Sequence, residues 1–397
     1  MKKIGFVTPW FGENIPGGAE ALLRGIAGHL HEAGLEIEIL TTCAKEFLSD
    51  WGVNDYAEGI YSECGLPVRR FKVCNRDREL FDHVNAKLMK GMSISPEEEK
   101  IFVDNMINST DLYEYIQGNS GEYALFVFIP YMFGTTYYGC MACPEKSVLI
   151  PCFHDESYLY LNVFKEAFSN VAGMLFNAEA EAQLAKRTFN LDNVPSQVIG
   201  VGVNTNMQPD KNRFEQKYHI GAPFVLYMGR KDSGKNVDVL LQYFAEYKKR
   251  HDSGLQLVLT GGGQIKIPDP VKKDVHDLGF IPVEDKYDAC AAAQVLCQPS
   301  SFESFSIVIM ESWLCGRPVL VNGGCDVTRE FVIQANAGLY YENYFEFEGC
   351  LNYILNNTQA ADEMGQNGRD FVLSRYSWDV VTDKYTRFFE KVSEAEK

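Results

Sequence analysis

The sequence has no long hydrophobic run that would place it in a membrane. No apolar stretch among its 397 residues approaches the roughly 20 residues that a transmembrane helix needs. The apolar run near the start, within Met1–Pro9, is too short for a secretory signal peptide and predicts a first strand instead. We therefore expect a cytoplasmic protein, and a position at the inner face of the membrane stays open.

Positive charge is also scarce. The chain has 37 Lys and Arg residues against 54 Asp and Glu, which gives a formal net charge of −17. This excess repels the phosphates of nucleic acids and anionic lipid headgroups, so no nucleic-acid partner is expected. One local exception is Arg69–Lys72, followed by Arg76 and Arg78. We interpret it as the exposed face of a strand and a turn, with a phosphate-bearing acceptor or a weak peripheral membrane contact as the alternative.

The eleven cysteines do not indicate a disulfide framework. Cys43, Cys290, Cys297 and Cys315 lie in apolar runs, where a reduced thiol behaves as a small hydrophobic side chain. One alternative is a zinc site, because a further set of cysteine and histidine residues has ligand chemistry. That set is Cys140, Cys143, Cys152 and His154.

Short β-type runs alternate with helical stretches along most of the chain, which predicts an α/β protein with parallel sheets covered on both faces. The length suggests two domains. We place an N-terminal Rossmann-like domain at 1–204, with a partly helical insertion at about 45–121, and a second such domain at 223–375. A polar, turn-rich linker at 204–223 separates them, and a terminal helix occupies 376–397.

The first candidate site is a glycine pair, Gly17 and Gly18, between the predicted strand Lys3–Thr8 and a predicted helix. Glycine permits close backbone approach, and a helix start offers free N–H groups to a phosphate. The pattern is not GxGxxG, so a nicotinamide dinucleotide is disfavoured. A tight turn without a ligand is the alternative.

The second candidate is the loop Gly229–Asn236 after the predicted strand Phe224–Met228. It matches the P-loop pattern G-x-x-x-x-G-K, except that Asn236 replaces the Ser or Thr that holds Mg²⁺. A P-loop NTPase is therefore an alternative. The favoured interpretation is that Arg230 and Lys235 point at the phosphates of a diphosphate and stabilise its charge as it leaves. A solvated basic loop stays open as well.

The third candidate follows the predicted strand Val295–Gln298. Glu303 and Glu311 are eight positions apart, in a loop and in the helix after it. Carboxylates accept hydrogen bonds from vicinal hydroxyls of sugars and ribose. The helix start between the two glutamates offers a cradle of N–H groups to an anion. The residues of that start are Phe305, Ser306 and Ile307.

Together these residues resemble the retaining GT-B glycosyltransferases of glycosyltransferase family 4. The E-x7-E element, the basic loop and the Gly17-Gly18 loop occur in the family's order, with the segments Cys315–Val319 and Tyr376–Trp378. The resemblance covers nearly the whole C-terminal half and the two ends of the N-terminal half, and it is weakest at about 45–121.

The resemblance implies a GT-B fold of two Rossmann-like parallel-sheet domains facing across a cleft, with the terminal helix packed back on the N-terminal domain. It implies a hexosyltransferase that retains anomeric configuration and needs neither a catalytic metal nor a cofactor. The implied partners are a UDP- or GDP-sugar donor and a saccharide or lipid-linked acceptor. The implied pathway is the synthesis of a bacterial surface polysaccharide or glycolipid, and the oligomeric state is not indicated.

The resemblance also assigns roles. Glu303 contacts hydroxyls of the transferred sugar, Glu311 holds the ribose, and Arg230 and Lys235 bind the diphosphate. Ser306 stands where the family more often has glycine, and its backbone donors survive that change.

In the N-terminal half, Gly17 and Gly18 approach the diphosphate, and His154 matches a family histidine near the reacting sugar. The rival hypothesis from another class is a nucleotide-sugar-binding protein without turnover.

Overall fold

The computed structural model describes residues 2–15 and 17–394 and divides into two compact units. The first unit joins the chain up to Gly202 with the segment from Val381 onward, and the second is Val203–Val380. No helix in the described residues is long and apolar enough to cross a membrane.

The first unit contains an eight-stranded sheet in the order β3-β4-β2-β1-β5-β6-β7-β8. All neighbouring strands are parallel except the β3–β4 pair. Its central strands are almost entirely buried, as expected where helices cover both faces. The strands are β1 (Lys3–Thr8), β2 (Ile37–Thr42), β3 (Gly59–Glu63), β4 (Leu66–Phe71), β5 (Tyr123–Phe128), β6 (Ser147–Leu149), β7 (Gly173–Phe176) and β8 (Ser196–Val198).

Helices connect these strands, and α1 shows why they form. Its apolar residues recur at helical spacing and are buried at Leu22, Leu23, Ile26 and Leu30. The helices of this unit before the terminal one are α1 (Gly18–Glu32), α2 (Arg78–Leu88), α3 (Pro96–Asp104), α4 (Thr110–Asn119), α5 (Gly134–Ala142), α6 (Asn162–Phe168) and α7 (Glu179–Thr188).

The segment predicted as an insertion, 45–121, contains the β3–β4 hairpin and α2 to α4. Its helical part includes two successive helices, α3 and α4. Ser95 begins α3 with a capping box, and Ser109 begins α4 by accepting the Leu112 N–H at 3.3 Å. The two caps therefore divide this stretch into separate helices.

The second unit contains a six-stranded parallel sheet in the order β11-β10-β9-β12-β13-β14. Its strands are β9 (Phe224–Met228), β10 (Gln256–Thr260), β11 (Val275–Asp277), β12 (Val295–Gln298), β13 (Val319–Asn322) and β14 (Gly338–Tyr341). Its helices are α8 (Lys211–Tyr218), α9 (Val237–Arg250), α10 (Val283–Ala292), α11 (Ile307–Leu314), α12 (Asp326–Ala335), α13 (Tyr344–Asn356) and α14 (Thr358–Arg375).

The stretch predicted as a linker, 204–223, lies within the second unit and includes α8. Asp210 caps this helix, and Arg213 reaches Asp288 of α10 through two guanidinium hydrogen bonds, one of them 2.7 Å long. Polar composition suggested a free linker, but the polar residues are used for capping and ion pairing.

The terminal helix α15 (Trp378–Glu394) carries an apolar stripe of buried residues at Val381, Tyr385, Phe388 and Val392. Within the first unit, the Phe388 ring lies so close to Gly173 of β7 that a Cβ there would come within 2.9 Å. The absence of a side chain at Gly173 therefore allows the Phe388 ring to pack against β7.

Candidate functional site

The loop Gly229–Asn236 follows β9 and is held in place by side-chain hydrogen bonds. Gly229 has a φ of 148°, which favours glycine, and the Tyr227 hydroxyl donates to the Arg230 carbonyl at 2.6 Å. The Asn236 amide donates to the Pro299 carbonyl at 3.1 Å and to the Ser301 hydroxyl at 2.7 Å. The residue at the P-loop metal position therefore fixes the loop that follows β12, which disfavours the P-loop interpretation.

Lys235 and Glu303 meet beside the carboxyl ends of β9 and β12. The Lys235 ammonium lies 2.6 Å from Glu303 Oε1, and both side chains are mostly buried. Gln298 donates to the same oxygen at 3.2 Å and to the Ser306 hydroxyl at 3.1 Å. An ammonium has three N–H donors, so Lys235 can keep this pair and still bind a phosphate.

The start of α11 supplies the backbone donors. Ser306 precedes the helix with a φ of 71°, and amides at a helix start have no partner within the helix. The Phe305 ring is buried against Phe331 and Tyr376, with ring centres 5.2 and 5.1 Å away. Of the predicted substrate-binding residues Phe305, Ser306 and Ile307, Phe305 therefore offers only its backbone, because its side chain anchors the loop.

Glu311 is buried one turn into α11, and only one of its two carboxylate oxygens has a hydrogen-bond donor among the described residues. Its Oε1 accepts hydrogen bonds from Lys286 and, at 3.4 Å, from the Tyr287 hydroxyl. Burial and then the Glu311 charge raise the pKa of Tyr287, which keeps its hydroxyl protonated as a donor. Glu311 Oε2 is buried and has no hydrogen-bond donor among the described residues. A buried carboxylate oxygen without a donor is costly, and a ligand hydroxyl would satisfy it.

Arg230 is not part of this cluster in the structure. Its side chain is 71% exposed, and its Nε lies 3.6 Å from Asp232. Within the described part of the chain, no hydrogen bond or ion pair joins Arg230 to Lys235, Glu303 or Glu311. The next residue of the loop, Lys231, is buried and forms an ion pair with Asp277, so it has a structural role.

In the first unit, Gly17 begins α1 in a conformation that requires glycine. Its φ is 145°, and a Cβ would lie 1.9 Å from the Glu20 carboxylate. Glu20 in turn accepts the Trp10 indole N–H at 2.7 Å, and Arg24 donates to two carbonyls of the same loop. A Cβ on Gly18 would meet nothing within 4 Å, so its surface is open.

His154 follows β6. A carboxylate that was not predicted from the sequence, Glu181, binds the backbone N–H of the residue before His154. The Nδ1 of His154 lies 3.7 Å from Glu156, and the His154 side chain is one-third exposed. Glu181 of α7 is fully buried and accepts the N–H groups of Phe153 and Asn177, each at 2.7 Å. Burial raises the pKa of Glu181 to about 7. The sequence feature that could have identified Glu181 is a glutamate in the first turn of a helix that directly follows a buried strand.

The zinc alternative finds no ligand set in the described residues. No group of three or more His, Cys, Asp and Glu side chains there is arranged to hold a metal. Cys140 donates to the Tyr137 carbonyl at 3.3 Å, and Cys143 donates to Glu145 at 3.1 Å. All eleven cysteines are free thiols, and Cys43, Cys290 and Cys297, which were expected to behave as small hydrophobic side chains, are buried.

Comparison with known proteins finds a family match in the second unit. Residues 210–371 match the family model described as glycosyl transferases group 1, and this range contains Lys235, Glu303 and Glu311. Residues 210–371 are a group 1 glycosyl transferase domain. The family resemblance drawn from the motifs is thereby confirmed.

Similar curated proteins include glycosyltransferases with named activities. The chain is 26% identical over 186 residues to a D-inositol 3-phosphate glycosyltransferase of Corynebacterium kroppenstedtii, covering 43% of this chain and 40% of that protein. It is 22% identical over 253 residues to an MMP alpha-(1->4)-mannosyltransferase of Mycolicibacterium hassiacum, covering 59% and 57%. The match thus spans about half the length of these relatives.

Similar solved structures confirm the GT-B fold with two parallel-sheet α/β units. Sucrose-phosphate synthase from Thermosynechococcus elongatus has a TM-score of 0.72 at 16% identity, with 100% of both chains covered. The Anabaena protein HepE in complex with UDP has a TM-score of 0.70 at 17% identity, with 98% of this chain and 100% of that chain covered.

Proposed function

We propose that the protein is a glycosyltransferase that moves a sugar from a nucleoside diphosphate sugar to a saccharide acceptor. The observation that carries the proposal is the buried, unpartnered oxygen of Glu311. It lies on the helix whose start, at Ser306, is joined to the Lys235–Glu303 pair through Gln298. The four positions from Ile307 to Glu311 span about 6 Å along the helix. This spacing suits a ribose at Glu311 and a phosphate at the helix start.

The chemistry follows from these positions. As the bond between the sugar and the diphosphate breaks, negative charge grows on the leaving phosphate. The Lys235 ammonium and the amides at the start of α11 are fixed before the reaction and stabilise that charge. Glu303, held by Lys235 and Gln298, accepts hydrogen bonds from the sugar's hydroxyls. These groups supply the positive charge without a metal ion.

Other roles rest on the family resemblance. Arg230 is a second cation for the diphosphate, once it leaves Asp232. Gly17 and Gly18 approach the phosphates, and His154 lies near the reacting sugar. Transfer retains anomeric configuration and moves a hexose.

The donor and acceptor classes rest on similar proteins. Solved structures of HepE contain UDP or UDP-glucose, and one structure of S. aureus TarM contains UDP and a glycosylated glycerol. We therefore propose a UDP-sugar as the first donor to test and a GDP-sugar as the second. The acceptor is a saccharide or a lipid-linked saccharide, and the product belongs to a bacterial surface polysaccharide or glycolipid.

A thermal-shift panel tests the proposal. A ligand that binds only the folded protein raises its melting temperature. We expect one class of nucleotide sugar, with its nucleoside diphosphate, to raise the melting temperature in the presence of a metal chelator. Slow hydrolysis of that donor would separate an enzyme from a binding protein without turnover. Stabilisation by ATP with Mg²⁺ alone would contradict the proposal.

A further inference from the structure

The basic segment Arg69–Arg78 contains five cationic side chains, and four of them form ion pairs within the protein. The pairs are Arg69–Glu38 at 2.9 Å, Arg70–Glu63 at 2.7 Å, Lys72–Glu58 at 3.0 Å and Arg78–Asp82 at 3.5 Å. Arg76 is the exception, because no acidic side chain of the described residues lies within 4 Å of its guanidinium group. The segment therefore offers one uncompensated cation.

The surroundings of Arg76 are aromatic. Its guanidinium carbon lies 5.0 Å from the centre of the Trp51 ring and 4.7 Å from that of Phe81. Its Nε is buried and has no acceptor among the described residues. Burial lowers the pKa of Arg76, which Asp50 and Asp82 partly counter from a greater distance. An arginine held against rings with a buried N–H unsatisfied is prepared for an anion.

Arg76 lies at the sheet edge where α/β proteins bind ligands. It follows β4, Trp51 follows β2, Trp10 follows β1 and Phe133 follows β5. These strands are parallel neighbours, so their carboxyl ends share one edge. Ring contacts join the loops, with centres 6.1 Å apart for Trp10 and Trp51 and 5.8 Å for Trp51 and Phe133. His154 follows β6 at the same edge of this sheet.

An exposed ring extends this aromatic group to the surface. Phe47 is 52% exposed, and its ring centre lies 5.7 Å from that of Trp51. The Trp51 indole N–H donates to the Phe47 carbonyl at 2.9 Å, which fixes both residues of the loop. An exposed ring beside a half-buried one provides an apolar face for a ligand that also has polar groups.

We propose that Phe47, Trp51 and Arg76 form an acceptor subsite for a saccharide that carries a phosphate group. The guanidinium group binds the phosphate through its fork of N–H donors, and Nε gains the acceptor that it lacks. The rings pack against the apolar face of the sugar. This inference rests on the proposed function, and it names the acceptor's chemistry.

Fluorescence of Trp51 provides the test. The probes are glucose 6-phosphate, glucose and vesicles that contain phosphatidylinositol, titrated into the full chain, with Trp51→Phe identifying the signal. We expect saturable binding of a phosphate-bearing probe that Arg76→Gln weakens about tenfold or more, the scale of a lost charged hydrogen bond. The control Arg78→Gln removes an exposed cation two positions away and should leave the affinity for the probe unchanged. The probe that binds identifies the acceptor as free or lipid-linked.

A second variant keeps the test valid if Arg76→Gln folds poorly. A Cβ on Gly52 would lie 3.1 Å from the Arg76 side chain, so Gly52→Ala displaces the arginine without removing its charge. Gly52→Ala should therefore also weaken binding of the same probe. Equal affinities in the Arg76 and Arg78 variants, equally strong binding of glucose, or no binding of either phosphate-bearing probe would overturn the subsite. UDP binding, measured in the same variants, should not change, so failure of the donor site is seen separately.

Discussion

Lys235 is the residue whose removal should affect turnover most selectively. Lys235→Ala removes a cation fixed 2.6 Å from Glu303, and we expect turnover to fall by about 10²–10³, the scale of one preorganised electrostatic donor. The matched control is Lys249→Ala on α9, whose side chain is 76% exposed. Donor turnover by both variants is the measurement, and near-normal rates for Lys235→Ala would remove Lys235 from the mechanism.

Glu311 should recognise the ribose. A nucleotide that lacks the ribose hydroxyls and a variant that lacks the carboxylate test this together. The free oxygen of Glu311 would accept hydrogen bonds from the 2′- and 3′-hydroxyls of a nucleotide. The dideoxy form of the preferred nucleoside diphosphate should therefore bind about 10- to 100-fold more weakly than the parent. In Glu311→Ala the two ligands should bind alike.

Calorimetry of both ligands with both proteins forms a double-mutant cycle. The control Glu363→Gln, an exposed glutamate of α14, should discriminate as the original protein does. Undiminished discrimination in Glu311→Ala would place the ribose elsewhere.

Ser306 combines a strained backbone conformation with a side-chain hydrogen bond. Its φ of 71° is unfavourable for a side chain with a Cβ, and its hydroxyl accepts from Gln298 at 3.1 Å. Ser306→Ala keeps the strain and loses the bond, so it should lower the free energy of unfolding by about 1 kcal/mol. Ser306→Gly loses the same bond but relieves the strain. Urea unfolding should find the glycine variant more stable than the alanine variant, and the reverse order would contradict this account.

At the scale of elements, Glu181 joins the loops that follow β6 and β7 from the start of α7. It accepts the N–H groups of Phe153 and Asn177, and it is faced by Cys152, His154 and Tyr385. Because burial raises its pKa to about 7, the folded protein keeps a proton that the unfolded chain loses near pH 4.5. Its contribution to stability is therefore present below about pH 4.5 and is lost as the pH rises through 7.

Glu181→Gln removes this titration. Melting temperatures measured from pH 4.5 to 8 should decline more steeply for the original protein than for the variant, because other carboxylates titrate equally in both. Parallel profiles would show that Glu181 does not titrate in this range.

The central strands of both sheets could be predicted from the sequence, because they are continuous apolar runs. Lys3–Thr8, Phe224–Met228 and Val295–Gln298 have the predicted bounds. The edge strands β11 and β14 were missed, since three or four residues without a regular apolar pattern form a strand only when a neighbour pairs with them.

For the candidate site, motif spacing predicted that Glu303, Lys235 and Glu311 belong to one unit. It did not predict which partners hold them. Lys286 and Tyr287 come from α10, and Asn236 reaches across to Pro299, so these contacts exist only after the chain has folded. Glu181 was missed for the same reason. Arg230 was predicted from the same loop as Lys235, but pairing with Asp232 keeps it apart in the structure.

At the scale of the whole molecule, the net charge of −17 makes fixed positive groups informative. A nucleoside diphosphate can bind such a protein only where fixed positive groups overcome the overall repulsion. In the second unit those groups are Lys235 and the start of α11, and in the first unit Arg76 is a further one. Binding at both places should weaken as salt is raised.

Calorimetry with UDP and GDP, in the presence of a metal chelator, tests the central claim most directly. The account predicts one site per chain for one of the two nucleotides, with affinity reduced in Lys235→Ala and in Glu311→Ala and unchanged in Lys249→Ala. Failure of both nucleotides to bind, or equal affinity in all four proteins, would contradict it.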